Sequence, residues 1–553
     1  MLVAIESLIR SKFLYHIRRR YVRLILLVNA IITSAEPGLY HEWGTKLNYK
    51  ALLYLEHPSE IFHTATAALL VLFVVMILLQ WVVGLFLYNR IVRPVDEIAK
   101  QSWAALVIVP LYPILIIGLR GGVQEIPMSA GDSYYSTNPT LNWSTVNSLW
   151  NVGQSILTGM QYGRSNPYHF LPDKEAAENV AALYQSKCDS SEQILTTTKP
   201  NIVLVIFEGW SADLSYSISG IKEHSCTPHF DEMAAEGLLF KKCIASGERS
   251  DQGLTAVLSG FPALPLSSIV NYTAKVDQLP SLLEPFQMDG YSSLFLFGGQ
   301  LSYGNLRTLI YHNKFDKVIE EKDIDPSIYR GRLGVHDQHT FDILQRELDT
   351  MHQPFFSGFF TQSTHFSYDY PGAKQGAAIA GDASGYTSSL LYADSCLGDF
   401  MKKAKTKPWF KNTLFIFVAD HSHVVPWNDN HHSSAMHHIP LLLYGDVIED
   451  DYRGKAITAT VSQQDIAATL LSQTRHDHSA YSWSRDLFAP CSNHFAYWTF
   501  TEGFGLTTDS CEVVYDLAGR KIINSQYANC DSTVFQKQAF SYMQMVMEDF
   551  LKK

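Results

Sequence analysis

Asn201–Ser211 reads NIVLVIFEGWS. Six apolar residues, Ile202 to Phe207, run into Glu208 and then Gly209. A short continuous apolar run rich in β-branched residues predicts a strand buried on both faces, as in a parallel sheet. Ligands of open α/β sheets sit beyond the carboxyl ends of the strands. Glu208 therefore stands where a carboxylate can hold a metal or move a proton. The alternative is a strand-end glutamate that caps the next helix.

The rest of the C-terminal two thirds fits such a sheet. Further strands are expected at Ser292–Phe297, Phe355–Phe360, Thr413–Val418 and Ile439–Tyr444. Helical stretches fall between them at Thr227–Glu236, Tyr303–His312, Gln338–Met351 and Ser388–Lys403, with Gln463–Leu471 after the last strand. This alternation predicts an α/β fold, a mostly parallel sheet sandwiched by helices.

Three more stretches carry chemistry. In SGERSDQGLTAVLSG (Ser246–Gly260), Ser250 lies at a predicted helix start, where the dipole favours a phosphate; an ordinary capping serine is the alternative. In NTLFIFVADHSH (Asn412–His423), a strand runs into Asp420 and His421. Two carboxylates and an imidazole suit Zn²⁺ or Mn²⁺. In FFSGFFTQSTHFSYDYP (Phe355–Pro371), His365 shortly follows a strand, placed to bind phosphate or act as acid/base, or to serve structure alone. His431, His432, His437 and His438 form a run that reads as a rim, with a second metal as the other option.

The N-terminal part is of another kind. Thr64–Tyr88 has no charge and exceeds the ~20 residues that cross a ~30 Å hydrocarbon core. Trp103–Gly118 is a second uncharged run, containing Pro110 and Pro113, and Leu24–Ala35 is a shorter one that Phe13–Ile17 would extend. No signal-peptide cleavage pattern is visible, so permanent anchors are expected. Arg10, Lys12, Arg18, Arg19, Arg20 and Arg23 precede the first segment, and Arg90, Arg93 and Lys100 separate the second from the third. Basic stretches stay inside, so three crossings put everything after Gly118 outside the cytoplasm. A net charge of −11 argues against nucleic acid as a partner. The seven cysteines include no C-x-x-C pair, which argues against a zinc ribbon or thioredoxin-type site; outside the cytoplasm some are expected to pair, and the odd count leaves at least one free.

In this order, VIFEGWS, GERSDQGL, QSTHFSY, FVADHS, HIPLLLYG (His438–Gly445) and SQQDIAATLL (Ser462–Leu471) resemble the lipoteichoic acid synthase and phosphoethanolamine transferase group of the alkaline phosphatase/sulfatase superfamily. The resemblance spans nearly the whole chain. It implies a transmembrane helical anchor (residues 1–120), a juxtamembrane connector (121–198), a sulfatase-like catalytic domain (199–500) and a C-terminal hairpin and helix extension (501–553). It implies Glu208, Asp420 and His421 as ligands of one divalent ion, Mn²⁺ or Zn²⁺ with Mg²⁺ as a further option. Ser250 is implied as nucleophile, where the group commonly has threonine, and His365 as the histidine beside the substrate phosphate. Gly304 and Leu306 stand where lipoteichoic acid synthases carry a tryptophan and an arginine for the glycerophosphate; Arg307 is the adjacent candidate for substrate binding. The sulfatase signature, Cys or Ser followed by x-Pro-x-Arg, is absent around Ser250.

The implied activity is transfer of a phospholipid headgroup, phosphoglycerol or phosphoethanolamine, to an extracytoplasmic glycan or lipid acceptor through a seryl intermediate. The implied place is the bacterial inner (cell) membrane, multi-pass, with the catalytic domain outside. A metal-dependent phosphodiesterase or sulfatase-like hydrolase is the alternative. In the tail, Phe495–Thr501 and Glu512–Asn524 read as strands. Thr533–Leu551 reads as an amphipathic helix with Phe535, Ala539, Met543, Val546 and Phe550 on its core stripe.

Overall fold

The computed structural model describes residues 12–43, 46–53, 55, 67–91, 103–120, 123, 141, 144–161, 165–185, 191–372, 383–425, 428, 430, 432–490 and 492–553. The chain forms two compact units, one built on the N-terminal helices and one holding most of the chain from Gly159 onward.

In the first unit, the short run at Leu24–Ala35 is the centre of a long helix, Lys12–Trp43. Its Phe13–Tyr40 portion and the helix Ala67–Ile91 are each long and apolar enough to cross a membrane. The third apolar run forms the 18-residue helix Trp103–Arg120. The first two helices pair antiparallel. Thr33 Oγ1 donates to Gln80 Oε1 (2.6 Å), Gln80 Nε2 donates to Ser34 Oγ (3.0 Å), and Arg18 donates to Tyr88 OH (2.9 Å). Arg18, Arg19, Arg20 and Arg23 thus share one end of the pair with Arg90, as the reading of the basic residues expects. Arg10, Arg93 and Lys100 lie outside the described residues.

In the second unit, β1 (Asn201–Phe207), β2 (Leu238–Ile244), β3 (Ser292–Phe297), β4 (Lys317–Ile319), β5 (Phe355–Phe360), β6 (Thr413–Ala419), β7 (His438–Tyr444), β8 (Ala456–Ile457) and β9 (Val461–Ser462) form one sheet. Its order is β4-β3-β5-β1-β6-β7-β2-β8, with β9 also on β2. β7 runs antiparallel to both its neighbours; every other pairing is parallel. β1 and β6 are adjacent and buried at every position, which requires cover on both faces of the sheet. Because they lie side by side and point the same way, Glu208 and Asp420 leave the same sheet edge one strand apart.

The five expected strands all form. β2 is an addition. Its sequence, LLFKKCI, breaks the apolar run with two lysines, and a bulge between Phe240 and Cys243 takes Lys241 and Lys242 out of the ladder. The tail holds four antiparallel strands, β10 (Phe495–Phe500), β11 (Gly503–Thr508), β12 (Cys511–Asp516) and β13 (Lys521–Tyr527). The expected single strand Glu512–Asn524 turns back at residues 517–520. β11 was concealed by its glycines: a Cβ on Gly505 would stand 2.3 Å from the Trp498 ring, its cross-strand partner, and one on Gly503 would meet the Phe500 ring. The final helix, Ser532–Lys552, buries Phe535, Ala539, Met543, Val546 and Phe550 as expected. Cys511 and Cys530 form a disulfide, and Cys226, Cys243 and Cys396 are free thiols; Cys188 and Cys491 lie outside the described residues.

Candidate active site

Glu208 follows β1, and Asp420 and His421 follow β6. Three of their ligand-type atoms lie within 4.8 Å of one another, the one such group of three among the described residues. His421 Nε2 is 3.6 Å from Glu208 Oε1 and 3.6 Å from Asp420 Oδ2. His421 Nδ1 lies 2.7 Å from the Ser422 carbonyl. A carbonyl only accepts, so Nδ1 carries a proton, and Nε2 is the nitrogen that faces the carboxylates: protonated it points its N–H at them, and deprotonated it is free to bind a cation. Asp420 Oδ1 accepts from the backbone N–H of Gly209 (2.8 Å) and of His421 (2.7 Å). Its other oxygen, Oδ2, is buried and makes no hydrogen bond among the described residues.

The donors fit a divalent cation. A buried carboxylate oxygen without a hydrogen-bond donor calls for a positive partner. Two donors each ~2.1 Å from a tetrahedral ion stand about 3.4 Å apart, close to the separations seen. The titration pattern agrees. Burial and then the charge of Glu208 push Asp420 above the usual carboxylate range. Burial alone would raise Glu208 too, but its hydrogen bond with His421 and the charges of His365 and His421 hold it low. Burial would lower His421, and the two carboxylates outweigh it and raise it. Two carboxylates this close carry one proton between them and the imidazole until a cation replaces it.

Ser250 is the first residue of the helix Ser250–Ser259. Its Oγ donates to Glu208 Oε2 at 3.1 Å, so the hydroxyl faces the carboxylate cluster from a helix N-terminus. Two residues inside the quoted motifs, to which the motifs give no role, hold it there. A Cβ on Gly253 would stand 2.0 Å from the Asp420 carbonyl oxygen, so glycine alone lets this helix dock on the end of β6. Gln463, buried, donates to the carbonyls of Ala419 (2.7 Å) and Asp420 (2.8 Å) and accepts from the Ser246 N–H (3.1 Å). One amide thus ties the end of β6 to the loop that leads to Ser250.

The segment after β5 fixes Glu208. Thr361 Oγ1 accepts from the Glu208 N–H (3.0 Å), and Thr364 Oγ1 donates to the Glu208 carbonyl. His365 follows and is near enough for its charge to act on Glu208. Its Nδ1 lies 2.5 Å from the Phe366 carbonyl and its Nε2 3.1 Å from the Tyr303 hydroxyl. Arg307 pairs with the buried Glu320 at 2.7 Å, and Leu306 is buried in the core. The histidine run serves structure: His432 packs on Phe500, His437 on Trp498, and His438 Nε2 lies 2.8 Å from the Lys241 carbonyl. His431 lies outside the described residues.

A mostly parallel sheet with an acid, an acid–imidazole pair and a helix-borne serine at its carboxyl edge defines the alkaline phosphatase class of fold. The chain belongs to the sulfatase family, whose model matches residues 200–476. It is 24% identical over 356 residues to lipoteichoic acid synthase 1 of Bacillus subtilis, covering 62% of this chain and 53% of that protein. It is 27% identical over 199 residues to the lipoteichoic acid synthase of Staphylococcus saprophyticus, covering 34% and 29%. The chain thus spans about half the length, or less, of the curated relatives it matches. Among solved structures, an alkaline phosphatase superfamily protein of Vibrio parahaemolyticus superposes with a TM-score of 0.60 at 25% identity, over 71% of this chain and 98% of that one. The lipoteichoic acid synthase LtaP of Listeria monocytogenes superposes with a TM-score of 0.55 at 17% identity, over 68% and 98%. These findings bear out the resemblance read from the motifs and the fold it implies.

Proposed function

We propose that this chain moves the phosphorylated headgroup of a membrane phospholipid, phosphoglycerol or phosphoethanolamine, to a glycan or lipid acceptor outside the cytoplasm, through a phosphodiester on Ser250. The observation that carries the reading is the Ser250 hydroxyl 3.1 Å from Glu208, in the cluster shared with Asp420 and His421. The apolar helices, the Cys511–Cys530 disulfide, which favours an oxidising compartment, and the names of the curated relatives support the rest. In this reading residues 1–120 anchor the chain, 121–198 connect, 199–500 catalyse and 501–553 extend the catalytic domain.

Glu208, Asp420 and His421 would hold one divalent ion, Mn²⁺, Zn²⁺ or Mg²⁺, which when bound lowers the pKa of a nearby hydroxyl and draws charge from phosphoryl oxygens. Ser250 Oγ attacks phosphorus: the Oγ–P bond forms, the bond from phosphorus to the diacylglycerol oxygen breaks, and that oxygen leaves with a proton. The acceptor hydroxyl then attacks, its O–P bond replaces Oγ–P, and Ser250 regains its proton. His365 binds a phosphoryl oxygen or protonates the leaving oxygen. Arg307, half-exposed with one Nη on Glu320, would offer its remaining N–H groups to substrate. An anchor keeps the site among lipid headgroups and raises their effective concentration.

Intact-mass analysis of the full chain after incubation with mixed phospholipids tests this. An adduct of headgroup mass on Ser250, absent in Ser250→Ala, is expected and names the headgroup. No adduct, with labelled headgroup released to water, would point to a hydrolase.

A further inference from the structure

His365 has its two nitrogens committed differently. Nδ1 must donate, because its partner is the Phe366 carbonyl. Nε2 is then an acceptor in the neutral ring, and the group that meets it at 3.1 Å is the Tyr303 phenol. The two rings stand edge to face, with centroids 5.5 Å apart and planes at 86°. The Phe366 carbonyl thus fixes the tautomer, and the phenol fixes the rotation of His365.

The loop that carries Tyr303 is built for this presentation. Gly304 and Asn305 are both left-handed (φ 55° and 57°), an uncommon pair that turns the chain sharply after Tyr303. Asn305 Nδ2 donates to Asn271 Oδ1 (2.9 Å) and holds the turn. A Cβ on Gly304 would come within 3.8 Å of Asp251, the neighbour of Ser250, so the turn lies against the start of the serine's helix. Behind it, Glu320 accepts from the Leu301 N–H (2.9 Å) with one oxygen and from Arg307 (2.7 Å) with the other. That carboxylate closes the loop from Leu301 to Arg307, which gives the Arg307 ion pair a structural purpose.

From this geometry we infer that Tyr303 is a positioning residue for the reaction. It holds the His365 imidazole with Nε2 toward the loop beside Ser250. When a phosphoryl oxygen arrives and Nε2 carries a proton, that N–H is shared between the phosphoryl oxygen and the phenol oxygen, which turns from donor to acceptor and keeps the ring in place. The inference rests on the proposed seryl transfer, in which His365 serves the phosphate. Tyr303→Phe keeps the ring and its packing and removes the oxygen alone.

The test uses the full chain in detergent with Mn²⁺ and bis(p-nitrophenyl) phosphate as probe. Tyr303→Phe is expected to lower kcat about tenfold, the scale of one lost hydrogen bond, with KM, metal content and thermal midpoint unchanged. Added to His365→Gln it is expected to cost nothing further, since its oxygen acts only through that ring. A purely structural tyrosine would multiply the two losses. Full activity in Tyr303→Phe, or multiplied losses in the double variant, overturns the inference while leaving Ser250 as nucleophile. Equal rates for Ser250→Ala and the unaltered chain would remove the seryl reaction and the role of Tyr303 with it.

Discussion

Gly253 lies against the backbone of Asp420 so closely that a Cβ on it would stand 2.0 Å from the carbonyl oxygen and 2.8 Å from the Cα. Neither atom is the end of a flexible side chain, so one of the two elements must move if that space is filled. Gly253→Ala is expected to cost about 1–3 kcal/mol, as overpacking does, and to carry Ser250 away from Glu208. Loss of the Ser250 adduct together with a lowered thermal midpoint checks it. An unaltered midpoint would mean that the helix docks less tightly than described.

Asp420→Asn keeps the shape of the side chain and removes its charge. The amide oxygen can still accept from Gly209 and His421, but an NH₂ group then replaces the buried Oδ2 that faces His421. Bound metal is expected to fall from about one ion per chain to a small fraction of that, with the fold retained. Metal analysis of the purified protein beside its circular dichroism spectrum measures both.

Gln463→Met is nearly isosteric and leaves the carbonyls of Ala419 and Asp420 without the donor they share. A buried polar group left unpaired costs about 1–3 kcal/mol. A fall in the denaturation midpoint is expected, with kcat falling more than KM rises, because the loop to Ser250 loses its tie to β6.

Glu502 offers a pH dependence. It is buried, its Oε2 has no hydrogen-bond partner among the described residues, and burial, then the charge of Asp516, raise it from 4.5 to about 8. Below 4.5 the folded and unfolded states both hold the proton. Between the two values the unfolded state releases it and the folded state keeps it, so stability falls as pH rises, by at most ~1.4 kcal/mol per unit. Glu502→Gln cannot release a proton and is expected to be the more stable form by a margin that widens from about pH 5 to about pH 8. Thermal midpoints of both proteins across that range decide it.

Much of the site is legible in sequence because its ligands end apolar runs. Glu208 and Asp420 announce themselves as the first polar residues after NIVLVIF and TLFIFVA, and strand order alone then makes them neighbours. The helix at Ser250 reads from its own turn. What holds these parts together does not read so easily. Gly253 looks like any helix glycine until the Asp420 backbone is seen beside it. Gln463 and Tyr303 each look like the start of a helix. Their roles come from contacts across long stretches of chain, which no local pattern encodes: Tyr303 meets a residue 62 positions away, and the Gln463 amide reaches back 43 positions with its NH₂ and 217 with its oxygen. β2 and β11 escaped for a related reason, since a bulge and a pair of glycines suit their neighbours and not a lone strand.

The amide of Gln80 accepts from Thr33 and donates to Ser34, so the two apolar helices complete one another's polar chemistry. In hydrocarbon neither half has water to fall back on. The consequence is for biogenesis: a shortened chain that keeps only the second helix is expected to present a bare carboxamide to lipid and to look for a substitute partner, another copy included.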